Sequence, residues 1–301
     1  MPVLSSDELG KVPFADFLLK IFGVQAVNEA YDSVSGFQGP EFAHRFLERV
    51  GVDYDIAGLE NLSQLPPGAF ITVSNHPYGS IDGIALIDLI GHLRPDFKVM
   101  VNKFLSMVKT LEPNFITVSP ATNDSKGVDP QSISGVKAAL RQLSEGAPLG
   151  LFPSGAVSDL KHLRPDHVTS PASGTGSSEQ SHAKESRRGF QISDREWQPS
   201  VIRIIKKARV PVIPIRFLDR NSLYFYILGL INWKIRTLRL PREVINKAGK
   251  MVRIVVGSPI SVEEQDNVKD LDAFSSLLRA SVYDIPTPEP SDFTKRSALS
   301  I

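Results

Sequence analysis

Residues 69–90 read Ala69-Phe70-Ile71-Thr72-Val73-Ser74-Asn75-His76-Pro77-Tyr78-Gly79-Ser80-Ile81-Asp82-Gly83-Ile84-Ala85-Leu86-Ile87-Asp88-Leu89-Ile90. Ala69–Val73 has the length and apolarity of a buried strand, and Ile84–Ile90 has the period of a buried helix. The residues between them form a tight turn. Pro77 and Gly79 bend the backbone, and Ser80 is placed to cap the helix. A histidine and an aspartate thus sit on a turn held by two core elements, where catalytic groups concentrate. A neutral imidazole at His76 can take a proton from an alcohol. The Asp82 carboxylate can fix the ring tautomer and stabilise the resulting cation.

Outward from this stretch the chain alternates. Strands are predicted at Phe70–Val73, Lys98–Val101, Phe115–Val118, Leu149–Phe152, Val212–Phe217 and Val252–Val256. Helices are predicted at Ile81–Leu93, Lys103–Leu111, Ser132–Glu145 and Ser200–Arg209. The alternation specifies an α/β fold with a mostly parallel central sheet flanked by helices. Apolar residues at helical spacing across Phe14–Val34 and Pro40–Val50 predict a helical N-terminal segment over residues 1–50, packed over the sheet or lying on a membrane surface. The α/β domain is expected over 51–284. A Ser/Gly-rich insertion near 167–186 is expected to be a disordered loop. The Pro/Ser-rich residues 285–301 are expected to be a flexible tail. His162, His167 and His182 in or beside the loop lack ligand spacing, so no metal site is expected.

Composition narrows the function. The 301 residues carry a net charge of +1, which gives no global case for nucleic acid. Charge is uneven, however. Arg203–Arg253 holds thirteen Lys and Arg against Asp219 and Glu243 alone. Such a basic half fits an anionic surface or ligand, or simply a solvated face. The absence of cysteine excludes disulfides, thiolate catalysis and Cys-based zinc sites. The N-terminus lacks a signal-peptide pattern, and no run reaches the roughly eighteen apolar residues of a membrane span. The expected location is cytoplasmic, peripheral on the inner face of the cell membrane.

Two further segments stand out. Leu151-Phe152-Pro153-Ser154-Gly155-Ala156-Val157-Ser158 also follows an apolar strand and also sets Pro, Gly and small polar residues at its end. In open α/β sheets ligands bind at the carboxyl ends of strands, so the two turns are expected to face one crevice. Read without chemistry, they are ordinary connections. The strand Val210-Pro211-Val212-Ile213-Pro214-Ile215 is followed by Asn221-Ser222-Leu223-Tyr224-Phe225-Tyr226 and Ile227–Trp233. This last stretch is apolar, aromatic and too short to span a bilayer. It is either plain core, an acyl-pocket lining, or an interfacial segment with Lys234, Arg236 and Arg239 meeting headgroups.

These features, in this order, resemble the glycerolipid acyltransferase superfamily, which includes 1-acyl-glycerol-3-phosphate acyltransferases. Asn75, His76 and Asp82 match its first motif. Phe152-Pro153-Ser154-Gly155 matches its Phe-Pro-Glu-Gly motif in part, and Val210–Ile215 matches its late proline-flanked strand. The His-Pro-x-Gly-x-x-Asp-Gly turn and the Asn221–Tyr226 segment are most similar to the hemolysin-like, lyso-ornithine-lipid O-acyltransferase branch. The chain departs from the commoner pattern in three places. Five residues rather than four separate His76 from Asp82. Ser154 replaces the motif glutamate. Ala156 and Val157 follow Gly155 where an arginine is thought to hold the substrate phosphate, leaving Lys103 or an arginine of the basic half for that role and making a lyso-aminolipid acceptor more attractive.

The resemblance implies a glycerol-phosphate acyltransferase-like fold and an O-acyltransferase with catalytic His76 and Asp82. It places Asn75, Gly79, Lys103, Phe152, Pro153, Ser154, Gly155, Ser158 and Asn221 at the substrate. His76 deprotonates a lysolipid hydroxyl as it attacks a thioester, and N–H groups near Gly79 or Gly155 stabilise the oxyanion. No cofactor is needed beyond acyl-CoA or acyl carrier protein as co-substrate. The expected partners are a lysoaminolipid or lysophosphatidic acid acceptor, that donor, and an anionic membrane, with no nucleic acid. Two rivals remain: a serine lipid hydrolase using Ser154, though the Gly-x-Ser-x-Gly elbow is missing, and a non-catalytic lipid-binding homologue.

Overall fold

The computed structural model of the chain describes residues 20–118, 130–162 and 190–299. Helices α1 (Val24–Val34) and α2 (Gly39–Arg49) precede β1 (Val52–Ala57), the short α3 (Leu59–Ser63), β2 (Ile71–Ser74), α4 (Ile81–Leu93) and β3 (Lys98–Asn102). Two 3₁₀ turns, Lys103–Met107 and Lys109–Asn114, lead into β4 (Phe115–Val118), α5 (Pro130–Ser144) and β5 (Leu149–Leu151). Next come β6 (Asp159–His162) and β7 (Phe190–Ser193), α6 (Pro199–Ala208) and β8 (Val212–Phe217). Three short helices follow: α7 (Leu223–Ile231), α8 (Trp233–Leu238) and α9 (Leu240–Ile245). The chain closes with β9 (Lys250–Val256), α10 (Val262–Asn267), α11 (Leu271–Tyr283) and β10 (Thr294–Lys295).

Eight strands form one sheet in the order β10-β1-β9-β8-β2-β5-β3-β4. The five neighbours β8, β2, β5, β3 and β4 run parallel, and β1 and β9 form a parallel pair joined antiparallel to β8. The carboxyl ends of β8, β2, β5 and β3 therefore share one edge of the sheet. Side chains alternate across it as strand geometry demands. Ile213, Ile215 and Phe217 face a core shared with α2 and α4. Val212, Ile71 and Val73 face a second core with α5, α6 and α11. The chain leaves β2 toward the first face, and from β5 it passes through β6 and β7 to α6 on the second. A crevice opens where neighbouring connections part in this way.

The N-terminal helices belong to the first core, since Tyr31, Phe42 and Leu47 pack with Tyr54 of β1 and Leu86 of α4. The helix expected over Lys103–Leu111 is instead the two 3₁₀ turns. Pro113, which has no N–H to donate, lies inside the second of them. The flexible tail is also corrected. β10 pairs antiparallel with β1, and Arg296 is buried against Asp88 of α4 with Nε 2.5 Å from Oδ2. The insertion near 167–186, with His167 and His182, lies outside the described residues. No helix among the described residues is long and apolar enough to cross a membrane.

Candidate active site

The turn between β2 and α4 is built around the Asp82 carboxylate. Oδ2 accepts the N–H groups of Tyr78 (3.0 Å) and Gly79 (3.2 Å), and Oδ1 accepts that of Gly83 (3.0 Å). Asp82 sits in the first turn of α4, where a negative charge meets the positive end of the helix. Ser80 occupies the cap position without a side-chain cap bond, so Asp82 organises this terminus in its place. Gly79 has φ +85°, and a Cβ there would lie 2.6 Å from Val157 Cγ2. Glycine thus lets the backbone turn left-handed and lets the second turn approach the first.

The imidazole of His76 lies in this cradle. Its Nδ1 is 2.9 Å from Asp82 Oδ2, and its side chain keeps 16% of its surface open while Asp82 is fully enclosed. One face of the ring packs on Phe152 of the second turn, with centroids 4.2 Å apart and planes tilted by 31°. The two turns therefore meet at this ring. Asp82 fixes Nδ1 and Phe152 fixes the ring plane, leaving Nε2 as the nitrogen available to a substrate. Burial pulls the His76 pKa down, but the Asp82 carboxylate, with Asp194 adding to it, outweighs that and raises it above the ordinary value.

Asp194 was not legible as a site residue. It is fully buried, and its Oδ1 accepts the Ser158 hydroxyl (2.6 Å) and the His76 backbone N–H (3.1 Å). Ser158 N in turn donates to His76 O at 2.9 Å. One carboxylate thereby ties both turns together. Asp194 is itself held by the Tyr283 hydroxyl on its N–H (2.9 Å) and by Lys161 and Arg279 on its carbonyl.

The other expected positions divide between scaffold and surface. Asn75 is buried, with both ends of its amide paired to Phe217: Nδ2 donates to the carbonyl at 2.9 Å and Oδ1 accepts the N–H at 2.8 Å. It locks β2 to β8 and is not free for substrate. Asn221 Nδ2 donates to Tyr78 O (3.0 Å), and the Tyr226 hydroxyl to Pro77 O (2.8 Å), so this segment braces the first turn from outside. Pro153 O and Ser154 O accept from Gln198. The buried Ser154 hydroxyl donates to Ala156 O at 2.8 Å within its own turn, a structural use rather than a nucleophile's. Gly155 has φ +62°, and its N–H donates to Phe152 O. With Gly79 N–H on Asp82, neither glycine has a free donor for an oxyanion. Lys103 is exposed just beyond β3, two strands from β2 and so ~10 Å to the side. Arg236 does not reach outward. It is buried, pairs with Asp159, donates to Ser158 O (3.3 Å) and lies over the Phe225 ring. A cavity of about 830 Å³ bounded by Gly58, Pro214, Gly257 and Asp284 lies at the opposite edge of the sheet and shares no residue with these turns.

The pieces present are an oriented base, an enclosed acid behind it and an aromatic wall. They can deprotonate a hydroxyl at a carbonyl centre without a covalent enzyme intermediate. A family described as acyltransferase matches residues 17–158, which include both turns. The lyso-glycine lipid O-acyltransferase of Phocaeicola vulgatus is 25% identical over 252 residues, covering 81% of this chain and 77% of that protein. The lyso-glycine lipid O-acyltransferase of Bacteroides thetaiotaomicron is 24% identical over 274 residues, covering 89% and 88%. Among solved structures, the 1-acyl-sn-glycerophosphate acyltransferase PlsC from Thermotoga maritima aligns over 92% of this chain and 90% of its own, with 12% identity and a TM-score of 0.47. With the His76–Asp82 pair in place beside Phe152, the chain is an acyltransferase, similar over residues 17–158 to the acyltransferase family and over most of its length to the lyso-glycine lipid O-acyltransferases.

Proposed function

We propose that the protein moves a fatty acyl group from a thioester, acyl-CoA or acyl carrier protein, to the hydroxyl of a lyso-aminolipid at the surface of an anionic membrane. The single observation behind this reading is the His76–Asp82 pair held against Phe152. The acceptor hydroxyl is a poor nucleophile at neutral pH. His76 Nε2 takes its proton while the alcohol oxygen attacks the thioester carbonyl, a contribution of ~10²–10⁴-fold. The C–S bond then breaks, the ester forms, and the departing thiolate recovers the proton from the imidazolium. Asp82 keeps Nδ1 protonated throughout and balances the transient positive charge.

Two observations favour an aminolipid over a phosphate-bearing acceptor. The relatives are named for a lyso-glycine lipid. In addition, Ala156 and Val157 rather than a cation come directly after Gly155, and the buried Arg236 nearby is paired with Asp159. The test supplies purified protein with labelled acyl-CoA or acyl carrier protein and either lyso-glycine lipid or lysophosphatidic acid, with products resolved by mass spectrometry. The expected result is an O-acylated aminolipid. Preferential acylation of lysophosphatidic acid overturns the acceptor assignment, and no ester with either overturns the activity.

A further inference from the structure

Of the thirteen large apolar side chains that stand exposed among the described residues, eight fall within positions 223–238. Leu223, Tyr224, Leu230, Ile231, Trp233 and Leu238 each keep more than half of their surface open, and Ile231 keeps 73%. Single exposed apolar residues are ordinary, but a contiguous patch marks a contact surface. The patch has helical order. Helix α7 is apolar all round, with Phe225 and Tyr226 turned into the protein and positions 223, 227, 230 and 231 forming the outward stripe.

We infer that this face of α7 and α8 docks on a lipid bilayer with anionic headgroups, Ile231 and Trp233 entering the boundary between headgroups and acyl chains. Charge selects this occupant. Across residues 220–250 the sole acid is Glu243, which is buried and bonded to Ser222 and Arg239. Arg220, Lys234, Arg242 and Lys250 are exposed along the same stretch. Two acids beside it carry cations of their own, Asp159 with Arg236 and Arg195 and Asp219 with Arg253. An apolar stripe flanked by cations, with an aromatic residue at its edge, is the chemistry of an interfacial helix. The patch is also fixed to the catalytic turns. Tyr226 and Asn221 hold Pro77 and Tyr78, and Arg236 holds Ser158. Docking through this face brings the crevice to the leaflet in which a lysolipid acceptor lies. The inference rests on the reading that the acceptor is a lipid.

The experiment compares vesicles of phosphatidylcholine alone with vesicles that also contain phosphatidylglycerol, scored by co-sedimentation. The wild-type chain is expected to bind the anionic vesicles preferentially. The Ile231→Glu, Trp233→Glu double variant is expected to bind them at least ~10-fold more weakly, while acylation of a short-chain lysolipid kept below its micelle concentration stays at the wild-type level. The chain has two tryptophans, and Trp197 is buried. Trp233 emission should therefore shift to the blue on anionic vesicles and be quenched by lipids brominated on the acyl chain, and Trp233→Phe should lose both signals. A double variant that sediments like the wild type, or a Trp233 that is not quenched, overturns the inference. So does a double variant that changes from dimer to monomer with vesicle binding intact, which assigns the face to a second copy. Vesicle binding through this face without ester formation refutes the proposed reaction and leaves the docking surface standing. Ester formation from monomeric substrate without vesicle binding does the reverse.

Discussion

His76 Nδ1 and Asp82 Oδ2 stand 2.9 Å apart across a turn one residue longer than the commoner spacing of such pairs. The turn absorbs the additional residue at Gly79, whose left-handed φ lets Tyr78 and Gly79 both point their N–H groups at the carboxylate that orients the ring. The pair makes separable predictions. His76→Ala removes the base alone, so turnover should fall by ~10²–10⁴-fold with the urea midpoint little changed. Asp82→Asn should lose both, because the carboxylate also closes the turn. Near-normal turnover in a folded His76→Ala protein defeats the assignment of the base.

Gly79→Ala tests the turn without touching a charged group. The new Cβ meets Val157 Cγ2 at 2.6 Å and Leu240 Cδ2 at 3.0 Å, in a backbone conformation that alanine resists. A cost of ~1–3 kcal/mol is expected, read as a lower urea midpoint. Activity should drop further than that, since the strain also separates the turns carrying His76 and Phe152. Unchanged stability would show that neighbouring side chains yield freely.

Ser154→Ala separates acyl transfer from serine hydrolysis. Its hydroxyl completes a turn through Ala156 O, so its loss should cost ~1 kcal/mol of stability and leave ester formation largely intact. A fluorophosphonate probe should leave Ser154 unlabelled. Labelling, together with an inactive Ser154→Ala protein, would restore the hydrolase reading.

Much of the fold was legible because its central elements are locally consistent. Helix Ile81–Leu93 and strands Phe115–Val118 and Val212–Phe217 lie where periodicity puts them. Strand β1 was missed because Asp53 and Asp55 interrupt its apolar run. Only in the sheet do Tyr54 and Ile56 show their inward alternation. The tail was misread because its anchor is a long-range pair, Arg296 with Asp88, that composition does not reveal. His76, Asp82 and Phe152 were legible since each lies in a strand-to-turn motif. Asp194 reaches the site only through tertiary placement, in a segment with no motif of its own. The commitment of the Gly79 and Gly155 N–H groups was equally hidden, because a hydrogen bond's partner is a property of the folded backbone.

Asp194→Asn isolates an electrostatic role from a structural one. The amide oxygen can still accept from Ser158 and from His76 N–H, and only the long Trp197 Nε1–H contact to the other oxygen (3.4 Å) is given up, but the charge that helps raise the His76 pKa is gone. The base works as neutral imidazole, so kcat/KM should rise with pH through the His76 pKa and then level off. Removing a nearby anion destabilises the imidazolium and lowers that pKa. The acid limb should therefore move to lower pH, with the plateau little altered. A purely structural Asp194 would scale the whole profile and leave its midpoint in place.

Arg296→Met tests whether the C-terminal segment is part of the fold. Asp88 is fully enclosed on α4, with Arg296 Nε 2.5 Å and the Tyr54 hydroxyl 2.9 Å from Oδ2, and His44 and His92 Nδ1 3.3 and 3.2 Å from Oδ1. Removing the guanidinium leaves a buried carboxylate without its permanent cation, which costs ~3–5 kcal/mol when nothing replaces it. β10 lies four strands from β2, ~19 Å across the sheet. Turnover of the folded fraction should accordingly hold while the urea midpoint falls. An Arg296→Met protein as stable as the wild type would mean that the tail contributes nothing to the fold.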